Sequence, residues 1–430
     1  MKTTPSRTYS DSEQDRAALQ RRTIWVLLAG TLPAGAAMSG AFAAAATLGE
    51  DLTGSDRLGT LAAACVTVGG ALSAVPVARL MARSGRRPGL RAAWVTGAVG
   101  AIICAVAAIA EIYPILPPGL AMIGVGSAGT LAARYAAADL ASPEDKARAI
   151  GMLVWGGTFG SVLGPIVALQ GAGSVAESVG LPELAGPYIL SLLLFILASG
   201  AIDRLLRPDP LVVAGGLDSD AAEGTTKPPL SATLGRIARV PEARLAVLAM
   251  IVGHGVMVGV MVATPLHMKD GNQALSVVGQ VISLHVIGMY AFAPLIGRLV
   301  DRVGAKLVVA AGGVILAVGA EMAAHTEAQH TRGVAIGLFL VGVGWNFGII
   351  AASALLTRAF DLHERVAAQG AADLLMTSAG AAAGLSSGFV LEQWGYHTLS
   401  HNAGLFGVAL TIFAVVTLLP GRRPAAATGA

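Results

Sequence analysis

Two copies of one short basic turn stand 219 positions apart in a chain of 430 residues: Ala78-Arg79-Leu80-Met81-Ala82-Arg83-Ser84-Gly85-Arg86-Arg87 and Gly297-Arg298-Leu299-Val300-Asp301-Arg302-Val303-Gly304-Ala305-Lys306. Each copy joins two long apolar segments. A turn repeated at half the chain length predicts two homologous membrane halves, an organisation found in carriers far more often than in enzymes. Two further matches keep nearly the same offset. Asp139-Leu140 pairs with Asp361-Leu362, and the row Gly156, Gly160, Gly164 pairs with Gly380, Gly384, Gly388. Glycine at every fourth position gives a helix a flat stripe for close packing in lipid, and packing is the reading we prefer for both rows.

A soluble chain of this length would not be 54% hydrophobic and 13% charged with a mean hydropathy of +0.69. Apolar runs near or above the ~20 residues needed to cross a bilayer occur at 23–46, 58–81, 92–112, 115–138, 148–170, 185–206, 243–267, 274–297, 305–324, 333–356, 366–390 and 403–420. The expected fold is therefore an all-α membrane protein of twelve transmembrane helices in two pseudo-symmetric six-helix bundles, 23–206 and 243–420. The first run is too long for a signal peptide and reads as a retained helix. The Pro- and Gly-bearing polar stretch 207–242 reads as a linker ending in a short surface helix at Ser231–Val240, with tails at 1–22 and 421–430.

Placing both termini in the cytoplasm leaves only Arg57, Lys269 and Arg332, of 29 basic residues, outside. That is the asymmetry expected of an inner-membrane protein. The net charge of +3 then reflects helix ends near anionic lipid, and nucleic-acid binding finds no support. Cys65 and Cys104, the two cysteines, fall inside spans and imply neither a disulfide framework nor a metal clasp. Enzymatic activity is not expected: Gly124-Val125-Gly126 lies inside an apolar span, and no nucleophile–base order or carboxylate pair stands out. No cofactor is expected, and the partners are a small substrate or metal ion and the bilayer, with the protein a monomer.

On these residues the chain resembles the twelve-helix members of the major facilitator superfamily over 20–420. The superfamily's inter-helix signature is nearly complete at Gly297, Asp301, Arg302, Gly304 and Lys306. In the first half Ala78 and Ala82 replace its Gly and Asp, while Arg83, Gly85, Arg86 and Arg87 remain. The resemblance implies a gating role for these residues; an Asp and Arg at a helix end can latch one face of the bundle in one state and release it in the other. The second copy is expected to keep that latch through Asp301. The first is expected to lean on Arg134 and Asp139.

Substrate has to be read from polar or soft groups at membrane depth, which are expensive there unless they function. Met250, His254, Met257, Met261 and Met268 fall on one face of span seven, at intervals of 4, 3, 4 and 7. Span eight adds His285 and Met289. Thioether sulfur with neutral imidazole favours soft Cu(I) over oxygen-seeking ions. Methionine is also a common filler of apolar gaps, so two readings stand: a metal path through Met257, Met261, His285 and Met289, with His254 and Met268 as further steps, or packing around an organic-substrate pocket. Asp373, inside span eleven, reads as a coupling carboxylate or as a structural partner of Gln369 or Asn346. His325, His330, His363, His397 and His401 read as loop residues, with His325 and His330 a weak capture point at the outer mouth.

Met-x-x-x-Met in span seven followed by His-x-x-x-Met in span eight is similar to the CcoA-like (CalT) copper importers, as are Arg134-Tyr135-Ala136-Ala137-Ala138-Asp139-Leu140-Ala141 and Pro265-Leu266-His267-Met268. That resemblance implies inward copper movement. Riboflavin importers are close relatives of the same group. A proton-coupled exporter of drugs or small organic compounds is the alternative from Gly160-x-x-x-Gly164-Pro165, although Ala168 and Leu169 stand where that motif expects glycine. Span one has no acidic residue, and aromatics make up only 5% of the chain, a thin supply for a greasy cation pocket.

Overall fold

In lipid every backbone N–H and C=O must be satisfied within the segment, so apolar runs of this length become helices. A computed structural model describes residues 13–217 and 229–418, and among these all regular structure is helical. The expected tail at 421–430, most of the tail at 1–22 and the middle of the linker, 218–228, lie outside the described residues. The first half contains α1 (Glu13–Asp51), α2 (Asp56–Ser84), α3 (Arg86–Ala110), α4 (Leu116–Ala136), α5 (Lys146–Ile166), the short α6 (Gly173–Ser178), which follows α5 after a π-helical turn, and α7 (Gly186–Leu205). Two short helices, α8 (Pro210–Val213) and α9 (Leu230–Arg239), lie within the linker. The second half contains α10 (Pro241–Asp270), α11 (Leu275–Tyr290), α12 (Ala293–Val303), α13 (Ala305–Ala324), α14 (Thr331–Ala359) and α15 (Leu362–Val416).

Among the described residues eleven segments are long and apolar enough to cross a membrane. Span eight is α11 and α12 in line, interrupted just before Pro294, which suits the first turn of the following helix. The 55 residues of α15 would measure about 80 Å at 1.5 Å per residue, far more than one bilayer. Gly395, at φ 78° and ψ 169°, divides it into arms at 362–394 and 396–416. Only a residue without Cβ takes that conformation readily. Among the described residues the passes therefore number twelve, and parity puts the start of α1 and the end of α15 on one face, called the terminal face. The two copies of the basic turn fold alike: Gly85 has φ 99° and ψ 171°, Gly304 φ 91° and ψ 144°.

The last span begins at 396, earlier than the apolar run that announced it, because its first turns are polar and histidine-bearing. His363, His397 and His401 are consequently helical and not in loops. Large apolar side chains such as Trp25, Leu72, Leu193, Phe389 and Phe406 stand exposed around the perimeter, the lipid-facing belt that a soluble monomer would not tolerate. Inside, each half has its own apolar core, with Trp94 and Phe195 fully buried in the first and Leu316 and Met376 in the second.

The glycine rows mostly pack helix on helix. A side chain at Gly160 or Gly164 would strike α1 near Ala36 and Ser39, and one at Gly380 would strike His254 on α10. Gly388 has open space beside it. The halves meet where α2 packs on the first arm of α15 and where α5 packs on α11 and α12. At Gly297 and Gly370 the approach is so close that a Cβ would collide with the Ala147 carbonyl and with the Ala78 side chain, respectively.

Candidate functional site

Near the terminal face, two arginines of the first half reach across to one face of α15. Arg134, at the end of α4, pairs with Asp373 while donating to Ser353 Oγ at 3.0 Å and to the Tyr135 hydroxyl at 2.9 Å. Arg86 donates from Nε and Nη2 to both oxygens of Asp139, at 2.8 and 3.2 Å, and from Nη2 to Gln369 Oε1 at 3.0 Å. Gln369 and Asp373 are one turn apart on α15, so a single helical face receives both arginines. All four charged side chains are almost wholly buried. Arg134 thus links the halves directly, whereas Asp139 stays within the first half and orients Arg86, which makes the second link through Gln369. Asp373 finds its partner in Arg134, where the sequence had offered Gln369 or Asn346.

The second copy of the turn works differently. Asp301, on α12, accepts from the backbone N–H of Arg148 at 2.9 Å and of Ala147 at 3.3 Å, and from Arg358 Nη2 at 2.9 Å. Arg358 also donates to the Pro143 carbonyl at 2.9 Å. Ala147 and Arg148 lie in the first turn of α5, whose own preceding residue, Asp145, makes no side-chain cap. The orphan donors of a first-half helix are thus capped by a second-half carboxylate. Arg83 and Arg302 are exposed and join no ion pair among the described residues.

The soft residues lie deeper. Met257 and Met289 are buried in one apolar core, and Met261 packs against its edge. His285 is fully buried; its Nδ1 lies 2.7 Å from the Leu338 carbonyl on α14, while Nε2 is buried with no hydrogen-bond partner. A carbonyl accepts only, so Nδ1 carries the proton and Nε2 presents a lone pair. α10 and α11 touch each other little; α11 packs chiefly on α14, and α10 packs chiefly on α15 and next on α14, so α14 is the helix that both contact. His254 also meets α14 but in the opposite tautomer, accepting at Nδ1 from Trp345 Nε1 at 3.1 Å, and Trp345 meets the Tyr290 ring edge-on at 5.6 Å. Met268 is buried in a separate cluster near the far end of α10. Beside α10 a mainly apolar cavity of about 400 Å³ lies against both arms of α15, lined by Ile251, Gly259, Ala383, Ser387 and Phe406 among others.

Several residues of this network were not read from the sequence: Ser353, Trp345 and Arg358, each joined to its partner across more than fifty positions. Tyr135 offered one signal, its place beside Arg134 in a helix end that is otherwise almost all alanine.

The sequence profile described as Major Facilitator Superfamily matches residues 27–273 and, again, 245–430. The chain is 34% identical over 98% of its length, and 97% of the relative's, to an uncharacterized MFS-type transporter, YdeG, of Bacillus subtilis (strain 168). It is 29% identical to the riboflavin transporter RfnT of Brucella anthropi, over 82% of this chain and 85% of that one. Among solved structures it superimposes on the human organic anion transporter MFSD10 (TM-score 0.75, 16% identity, 92% and 99% covered) and on the transporter FucP in the outward conformation (TM-score 0.71, 17% identity, 91% and 97% covered).

Proposed function

Since the chain belongs to the major facilitator superfamily, and is a multi-pass membrane transporter rather than an enzyme, we propose that it carries copper inward across a cytoplasmic membrane. Met257, Met261, His285 and Met289 are the ligand path, and His254 and Met268 are flanking steps. The observation that carries this reading is His285: its proton is directed to the Leu338 carbonyl, and the buried Nε2 is left with a lone pair and no partner. Fixing the tautomer through the other ring nitrogen is how a metal-binding histidine is prepared. Buried thioethers in the neighbouring core supply soft, neutral donors that hold Cu(I) without having to lose a proton.

Transport follows the alternating-access scheme. The terminal face, cytoplasmic by the charge asymmetry, is held shut by the Arg134–Asp373, Arg86–Gln369 and Asp301–α5 links. Copper enters from the opposite side and exchanges among two or three of the soft donors. The halves then rock apart at the terminal face and release it. Because α14 is the helix that both α10 and α11 contact, the shift of α14 during rocking passes the ion from one donor pair to the other. Weak, low-number coordination suits a carrier, which must let go.

Radioactive copper uptake into cells making Met257→Ala, His285→Ala or Met289→Ala proteins at wild-type membrane levels tests this; uptake should fall to background. Normal uptake in all three variants would end the copper reading. Riboflavin is the second reading, favoured by the RfnT relative and by the His254, Trp345 and Tyr290 rings gathered in the second half, a platform suited to a planar heterocycle. Thermal shift of the purified protein with Cu(I) against riboflavin separates the two, because a ligand stabilises the state it binds.

A further inference from the structure

On the face opposite the chain termini, α13 ends beside the start of the second arm of α15. Glu321 and His325 are four residues apart at the end of the first, and His397 and His401 four apart on the second, so each pair occupies one helical face. The Glu321 carboxylate lies between two imidazoles: Oε1 is 2.8 Å from Nδ1 of His401, and Oε2 is 3.5 Å from Nδ1 of His325. The His397 ring completes the group, 5.0 Å from His325 and nearly perpendicular to it, and 5.9 Å from His401 and nearly parallel. None of the four takes part in the links between the halves.

Three details point to a ligand and not to a set of surface pairs. Nδ1 of His401 is buried and lies within ion-pair distance of Oε1 without an aligned hydrogen bond to it, so nitrogen and oxygen converge there with no directed N–H···O contact holding them. Gly404, on the same arm as His401, lies under the carboxylate, and a Cβ there would stand 2.8 Å from Oε1. His325 Nδ1 is 2.9 Å from the Glu321 carbonyl and donates to it, which leaves the lone pair on Nε2. Imidazoles bound to a tetrahedral ion at 2.0–2.1 Å have ring centres about 5 Å apart, close to the spacing seen here. As the side chains lie, no three such donors among the described residues are arranged to hold a metal ion; binding requires His397 and His325, both exposed, to turn inward, His325 giving up its bond to the Glu321 carbonyl.

We propose that Glu321, His325, His397 and His401 bind a divalent transition metal of the zinc type, tying the end of α13 to the start of the last span. Three nitrogens and one carboxylate suit a borderline ion; they supply too few oxygens for calcium or magnesium and no thioether for Cu(I). Paired i, i+4 ligands on adjacent helices are an economical way to build such a site. It is separate from the proposed copper path and does not rest on it.

The test is Zn2+ titration of the tag-free, chelator-treated full-length protein in detergent, by calorimetry and by thermal shift. One saturable equivalent and an upward shift are expected, with no shift from Mg2+. His397→Ala and Glu321→Gln should each weaken binding at least about tenfold, and His330→Ala should leave it unchanged. His397 is exposed and fills no core position, so its variant should keep the metal-free melting temperature; Gly404→Ala, which displaces the carboxylate without removing a ligand, is the second probe. Absence of saturable Zn2+ binding in the wild type, or undiminished binding in a His397→Ala/His401→Ala protein, would overturn the site.

Discussion

The two copies of the basic turn adopt the same bend and make unlike contacts with the opposite half. In the first, Ala82 stands where the second has Asp301, so Arg86 has no carboxylate in its own turn and reaches Asp139 and Gln369 instead. The Arg86–Asp139 pair is sealed from solvent, with side-chain exposures of 1% and 0%. In the second, Asp301 is 9% exposed and Arg358 35%, and the carboxylate caps the amino end of α5 in the opposite half. With alanine at 82 the first copy meets the second half through buried charges, and with aspartate at 301 the second copy meets the first half at the rim as a helix cap. The two should therefore fail in different ways. A buried ion resists separation because it must find a new partner or be rehydrated. A rim cap opens easily because water can replace it.

The largest effect is expected from Arg134→Ala, which leaves the Asp373 carboxylate buried without its cation. Removing one member of a buried pair costs about 3–5 kcal/mol. Transport in proteoliposomes should be lost and the melting temperature should fall, while Arg134→Lys, keeping the charge but not the bonds to Ser353 and Tyr135, should recover part of both. Transport by Arg134→Ala at half the wild-type rate or better would mean that the buried latch is dispensable.

Asp301→Asn should have an intermediate effect. It weakens charge-assisted bonds of about 1.5–3 kcal/mol, some of which water restores at the rim. The expected result is a shift of population away from the state closed at the terminal face, read as a longer spin-label distance between α5 and α12, with the melting temperature little changed. An unaltered distance distribution would remove Asp301 from the gate.

Ala82→Asp sharpens the comparison by putting back the missing carboxylate. Ala82 packs against the same core as Leu362 in the first turn of α15, and Asp361, which precedes that helix, makes no side-chain cap of its own. A new cap of about 0.5–2 kcal/mol should favour the closed face and slow turnover; faster turnover would contradict a capping role. The smallest effect belongs to Arg236→Ala. It breaks the 2.7 Å pair with Glu364 between the linker helix and α15, but both side chains are about half exposed, so the cost should stay below about 1 kcal/mol and the transport rate should be unchanged within error.

Much of the architecture was legible before any coordinates. Hydrophobic run length gives the spans because a bilayer has one thickness, and repeated Gly85 and Gly304 announce the pseudo-symmetry because each must take a backbone conformation that other residues avoid. The surface helix before span seven, expected at 231–240, is α9 at Leu230–Arg239. Span twelve was read late, since its opening turns carry Tyr396, His397 and His401 and contribute little hydropathy. The residues 257, 261, 285 and 289 were legible as unusual chemistry at membrane depth. Their arrangement around α14 was not, because periodicity ranks faces within one helix and says nothing of which neighbour each face meets.

Sequence alone determined the class of protein, the twelve passes and the residue types worth watching, since each follows from local composition and spacing against a fixed solvent geometry. Tertiary structure decided the partnerships: Arg134 with Asp373 and not Asp139, Asp301 with the start of α5, Glu321 with His325 and His401. Charges buried in a low-dielectric interior must pair with whatever the packing brings within about 3 Å, and packing across several hundred residues leaves no periodic trace in the chain.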